Sequence, residues 1–223
     1  MTAKIESPAD DLLLGLWRIE ETSAELRALL NFPVMYADRI APLRENSARM
    51  REILAVRCLL KAMTGEEQRV LYDADGSPAI PQQIESVRQS DGKEVHTVWT
   101  HLSISHTEGW AAVLLASRPV GIDIERLGRR VERVTSRFLQ ESELALLRDE
   151  VELHLAWSAK ESLYKVLGRD YFDLQHLTTI ESVNYTSREG NLRRGTMDVT
   201  VSRQGLKTLH FETNSDFVLT CLF

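Results

Sequence analysis

The sequence predicts an α+β fold, and three observations carry that expectation. Two long stretches place apolar residues at helical spacing and stop on glycine, a run near residue 121 alternates with period two, and strand-like runs crowd the C-terminal tail. With 223 residues the chain can bury a good core as one compact unit or as two small subdomains. The Arg118-Pro119 turn is the natural boundary, giving an N-terminal subdomain over residues 1–117 and a C-terminal subdomain over residues 118–223. No internal repeat is visible by eye.

In chain order, the first helix runs from about Ser47 to Thr64, with Met50, Ile53, Leu54 and Leu60 as its core face and Gly65 as its stop. Arg44, Arg49, Arg51, Arg57 and Lys61 make it basic, but a helix cannot turn all of these to one ligand. Asp75-Gly76-Ser77-Pro78 reads as a turn, and Asp91-Gly92 as the turn of an extra hairpin. Leu102 and Ile104 alternate into Ser103 to Thr107, a strand that meets the turn at Glu108-Gly109. Gly121 to Glu125, GIDIE, is a second strand. From Glu150 to Leu167, Leu155, Ala159, Leu163 and Val166 make a helical core stripe closed by Gly168. Runs at 196–201, 208–212 and 217–223 read as scaffold strands.

The chemistry concentrates in two of these elements. Strand side chains alternate between faces, so Asp123 and Glu125 leave one face together, close enough to share one hard divalent cation directly or through water. Asp-x-Glu by itself favours a strand with one solvated face, because alternation is what any half-buried strand shows. On the helix, Glu161 stands four residues from both Trp157 and Lys165. Alone, Glu161 and Lys165 are an ordinary surface ion pair worth a few tenths of a kcal/mol. Beside an acidic strand, Glu161 becomes a third carboxylate and Lys165 a cation placed to neutralise a phosphate.

Composition excludes several classes. A net charge of −6 argues against a general nucleic-acid binder, which needs an excess of Lys and Arg. The two cysteines, Cys58 and Cys221, sit in apolar contexts, so neither a disulfide scaffold nor a cysteine metal site is expected. Early acids at Glu6, Asp10 and Asp11 with no long apolar run fit neither a secretion signal nor a membrane span, which leaves the cytoplasm as the expected location. Trp110 and Trp157 read as packing anchors, and Tyr164 as a residue of a cleft rim or a core seam.

GIDIE, the upstream SISHT at Ser103 to Thr107, and WSAKESLYK at Trp157 to Lys165 occur together in the order seen in 4′-phosphopantetheinyl transferases. The chain resembles their two-domain, surfactin-synthetase-activating (Sfp-type) branch, most strongly from Leu102 to Gly168. That resemblance implies a pseudo-twofold pair of similar α/β subdomains with the active site in the cleft between them. It implies a Mg2+-dependent transfer of the 4′-phosphopantetheine group of coenzyme A to a serine of an apo acyl or peptidyl carrier protein, releasing adenosine 3′,5′-bisphosphate. By match to the family pattern, Asp123 and Glu161 are the principal metal ligands, with Glu125 a third or one acting through water. Glu161 is also the first candidate for the base. Lys165 stabilises the departing bisphosphate, Ser105 and His106 hold coenzyme A phosphates, and Arg51 marks the coenzyme A end of the first helix. The carrier belongs to fatty-acid, polyketide or nonribosomal peptide biosynthesis, and a monomer is expected.

One departure stands out: Ser77 occupies the place where many relatives carry a lysine in a Gly-Lys-Pro triplet. Arg126, Arg129, Arg130, Arg133 and Arg137 form either a solvated face answering Glu132 and Glu141 or an edge that docks an acidic carrier, Arg129 and Arg130 foremost. Two rival functions share the same residues. One is a Mg2+-dependent hydrolase or nucleotidyl transferase acting on another pyrophosphate; the other is a non-catalytic module that binds coenzyme A or a carrier protein.

Overall fold

The structure is a computed structural model that describes residues 2–80, 84–90, 93–128 and 131–223. It is a mixed α+β protein whose contacts divide it into two compact units, Met1–Val120 and Gly121–Phe223. Both cysteines are buried, and burial pushes each thiol up to about 12, as expected of small core residues.

The first unit begins with strands β1 (Thr2–Ala9) and β2 (Leu12–Arg18) and helices α1 (Ser23–Ala28), α2 (Ala37–Ile40) and α3 (Ala48–Thr64). Strands β3 (Leu71–Tyr72), β4 (Pro78–Ala79), β5 (Ile84–Ser90), β6 (Lys93–Trp99), β7 (His101–Thr107) and β8 (Trp110–Ala116) follow. Its main sheet has the order β1-β2-β8-β7, antiparallel throughout. The long helix α3 lies against β2, β7 and β8. Ser47 caps its first turn by accepting from the Met50 N–H, and Gly65 ends it at φ 85°, where other residues are strained. Gly15 lets helix and sheet approach, since a Cβ there would lie 2.5 Å from Met63 Sδ and 2.9 Å from Leu59 Cδ1. Trp17, Leu54, Leu59, Trp99 and Val113 form the fully buried centre of this core. Strands β5 and β6 pair as a separate antiparallel ribbon; the Asp91-Gly92 turn lies outside the described residues.

The second unit contains β9 (Gly121–Arg126), α4 (Glu141–Leu144), α5 (Glu150–Leu167), α6 (Leu174–Leu177), β10 (Thr178–Glu189), β11 (Leu192–Val201), β12 (Gly205–Thr213) and β13 (Phe217–Leu222). Its antiparallel sheet runs β10-β11-β12-β13-β9, so β9 is an end strand. Strand β10 is mostly polar along its length, which is why periodicity alone does not announce it. Helix α5 starts at Asp149, whose carboxylate accepts from the Glu152 N–H, and packs Leu155, Ala159 and Leu163 on Met197, Val199 and Leu209. Its small residues lie against β9 and β13: Ser158 and Ser162 both bond the Thr220 hydroxyl, and Ser158 also donates to the Asp123 carbonyl. A Cβ on Gly121 would fall inside the contact distance of the Ser162 carbonyl oxygen and 2.9 Å from Val166. Only glycine lets β9 come this close to α5. Among the described residues, no helix is long and apolar enough to cross a membrane.

Candidate active site

In the second unit, the close approach of β9 to α5 brings the sequence-predicted acids together. Gly121, Asp123 and Glu125 share one strand face by alternation, and that face meets α5. Asp123 is 5% exposed and accepts a hydrogen bond of 2.8 Å from Lys165 Nζ, which also donates to the Ile122 carbonyl at 2.6 Å. The cation on the helix is thus fastened to the acidic strand rather than spent on a surface pair with its helical neighbour. Glu125 accepts a 3.2 Å hydrogen bond from Trp157 Nε1, so this tryptophan orients an acid as well as packing edge-on against Phe138.

Glu161 completes the group. Burial pushes its pKa up to about 6, the Asp123 and Glu125 charges add to that rise, and Lys165 opposes it. Asp123 and Glu125 thus stand near enough for their charges to act on Glu161. The neighbouring Lys160 has a different task. Fully buried, it pairs with Glu143 at 2.6 Å and donates to the Phe138, Thr178 and Leu174 carbonyls, which ties down the long connection from β9 to α5.

Among the described residues, no three His, Cys, Asp or Glu side chains stand as a ready-made metal site. The donor set nonetheless suits a hard divalent cation. Asp123, Glu125 and Glu161 offer only carboxylate oxygens, and Lys165 offsets part of their charge. The residues present therefore fit Mg2+ by their chemistry.

The first unit builds a cationic cavity of about 160 Å3. From α3 come Arg49 and Arg57, eight residues apart on one helix face with Ile53 between them. Strand β7 adds Ile104 and His106, β3 adds Tyr72, α2 adds Arg39, and Gly76 and Pro78 line it from the predicted turn. Arg39 stacks over the Tyr72 ring at 4.1 Å, and Arg57 donates a long hydrogen bond of 3.4 Å to the Tyr72 hydroxyl. Arg57 is only 4% exposed, and among the described residues its Nε and Nη1 have no hydrogen-bond partner. Burial pulls its pKa below the ordinary arginine value, the Tyr72 hydroxyl works the other way, and the Arg39 charge adds to the fall. A guanidinium that stays charged in this setting calls for an anion.

Of the residues predicted for coenzyme A, His106 lines this cavity. Ser105 does not join it. Strand alternation sends Ser103, Ser105 and Thr107, all buried, to the face of β7 opposite Ile104 and His106. Arg51 is half-buried on α3 and does not line the cavity. The arginines that do are Arg39, Arg49 and Arg57. The spacing of Arg49, Ile53 and Arg57 was a usable signal for two of them; Arg39 lies in another element and left none. Ser77 is exposed in its turn, with its N–H on the Asp73 carboxylate. Arg126, Arg133 and Arg137 are exposed, while Arg129 and Arg130 lie outside the described residues.

Residues 119–221 match the family model of the 4′-phosphopantetheinyl transferase superfamily, a span that takes in β9, α5 and all four residues of the acidic group. That span of the chain, just under half of it, is similar to the domain of that superfamily. It is also similar to the 4′-phosphopantetheinyl transferase gsp of Aneurinibacillus migulanus, 30% identical over 78 residues that cover 32% of this chain. The chain spans about a third (33%) of the length of that curated relative. The matched span thus contains the acidic strand and the helix that answers it, whereas the arginine cavity lies outside it.

Proposed function

We propose that the protein transfers the 4′-phosphopantetheine group of coenzyme A to a serine hydroxyl of an apo acyl or peptidyl carrier protein, giving holo carrier protein and adenosine 3′,5′-bisphosphate. The observation that carries this reading is the gathering of Asp123, Glu125, Glu161 and Lys165 inside the matched span. In this reaction the serine oxygen forms a bond to the β-phosphorus of the pyrophosphate, and the bond from that phosphorus to the bridging oxygen breaks. Glu161 accepts the serine proton, and Lys165 stabilises the charge that develops on the bisphosphate. Asp123 and Glu161 would hold Mg2+, with Glu125 as a third ligand or one acting through water, and the ion would supply charge neutralisation to the pyrophosphate. Trp157 keeps Glu125 oriented, and the tie from Lys165 to Asp123 keeps the ammonium beside the acids. The arginine cavity of the first unit takes the 3′-phosphate end of coenzyme A, with His106, Arg49, Arg39 and Arg57 as its cations.

The protein works in the cytoplasm as a monomer under this proposal, and the basic segment containing Arg129 and Arg130 docks the acidic carrier. Intact mass of an apo acyl carrier protein after incubation with the protein, coenzyme A and Mg2+ tests the reaction. The expected result is a gain of one phosphopantetheine group, abolished by Glu161→Gln and by removal of metal. An unmodified mass with fatty-acid, polyketide and peptide-synthetase carriers alike overturns the proposal.

A further inference from the structure

The cationic cavity is adjoined by one acid with no role so far. Glu52 projects from α3 and places Oε2 3.0 Å from His106 Nδ1 and 3.7 Å from Arg49 Nη1, with its side chain only 13% exposed. Arg49 Nη1 in turn lies against the same ring, 3.2 Å from Nδ1 and nearest to the second ring nitrogen, Nε2. A carboxylate only accepts and a guanidinium only donates, so one tautomer satisfies both neighbours: Nδ1–H donates to Glu52, and Nε2 accepts from Arg49.

In that state the imidazole is neutral and Arg49 is spent on it. The other charged or titratable groups lining the cavity are Arg57 on α3, Arg39 on α2 and Tyr72 on β3, none of them an acid that could serve in place of Glu52. We propose that Glu52 is a positioning residue for phosphate binding: it holds His106 through Nδ1, so that an arriving phosphate draws Arg49 away from Nε2 and meets a ring able to donate from both nitrogens. The second ring proton comes from solvent, and the Glu52 carboxylate balances the imidazolium charge. This rests on the reading that the cavity takes the 3′-phosphate end of coenzyme A. It adds to that reading the device by which the site selects a 3′-phosphorylated nucleotide.

Calorimetric titration with adenosine 3′,5′-bisphosphate and adenosine 5′-monophosphate, on wild type, Glu52→Gln, His106→Gln and the double variant, tests it. Glu52→Gln should weaken the bisphosphate about tenfold, the worth of one charge-assisted hydrogen bond, and leave the monophosphate nearly unchanged. Because Glu52 acts through His106, the double variant should bind as His106→Gln does. Titration in two buffers of different ionisation enthalpy should show about one proton taken up by the wild type and none by Glu52→Gln. Wild-type binding with an unchanged Glu52→Gln, or with the two losses simply adding, overturns the role of Glu52 alone. A wild type that discriminates neither nucleotide overturns the assignment of the cavity and this inference with it.

Discussion

The two units are built on the same plan and carry opposite chemistry. In the first, β2 leads into the long helix α3, and the unit ends on the hairpin β7–β8, whose last strand returns to pair antiparallel with β2. In the second, β9 leads towards α5, and the unit ends on β12–β13, whose last strand returns to pair antiparallel with β9. Each helix packs on those three strands, and each leading strand carries a glycine where the helix comes nearest, Gly15 and Gly121. Yet α3 and its strands present Arg49, Arg57 and His106 to a cavity, whereas α5 and β9 carry Asp123, Glu125 and Glu161, with Lys165 bonded to the first of them. The lesson is that the strand–helix–hairpin frame fixes where side chains meet and leaves the sign of the charge to the sequence.

The sharpest way to break the comparison is at the two glycines. In Gly121→Ala the new methyl meets a helix carbonyl that cannot move without α5, so a loss of about 3 kcal/mol is expected. In Gly15→Ala it meets the thioether of Met63 and the end of Leu59, which can rotate away, and the loss should be about 1 kcal/mol. Urea unfolding of both variants measures the difference; equal losses would mean the two approaches are alike.

A smaller effect, of different sign, separates the charges. Arg57→Met removes a buried guanidinium short of hydrogen-bond partners, so stability should hold or rise by about 1 kcal/mol, while affinity for adenosine 3′,5′-bisphosphate falls about tenfold or more. Lys165→Met removes a cation that answers Asp123 and should destabilise the second unit instead. Thermal unfolding and nucleotide titration together check the pair of signs.

The smallest effect sits at the helix starts. Helix α3 is capped by neutral Ser47, and α5 by Asp149. Burial raises the Asp149 pKa, but two hydrogen bonds from Arg193 and one from the Glu152 N–H outweigh it and hold the carboxyl below its ordinary 3.8. A pKa depressed in the folded state means stability fully present above the unfolded value and lost as pH falls through the folded one. Wild type should therefore exceed Asp149→Asn by a constant margin above about pH 5, and that margin should shrink below about pH 4. With a side chain 35% exposed, solvent screening limits the margin to about 1 kcal/mol. Ser47→Ala should cost about 1 kcal/mol at every pH. Urea midpoints across pH 3–7 distinguish the two caps, and parallel curves would refute the charged one.

Much of the second unit was legible because its signals are local. Alternation placed Asp123 and Glu125 on one face of β9, and helical spacing separated the core stripe of α5 from Glu161 and Lys165. The tail strands β11, β12 and β13 also followed from their alternation. The strands that escaped were β2, β3, β4 and β8, together with β1, which has polar residues along its length, and β10, where polar residues hide the period. In the first unit, helix α3 and the His106 strand were legible, but the cavity was not. Arg39, Tyr72 and His106 come from α2, β3 and β7, and nothing in their spacing reports that they meet.

By itself, then, the sequence determined the α+β class, the two long helices with their glycine stops, and the acidic strand and helix, because each is a repeat of 2 or 3.6 residues that any window can display. Tertiary structure alone decided that Lys165 is held by Asp123, that Trp157 orients Glu125, that Ser105 turns away from His106, and that Arg39, Arg49 and Arg57 rather than Arg51 form the cationic cavity. Those outcomes depend on which elements lie side by side, and burial and sheet pairing fix that across tens of residues, beyond the reach of any local period.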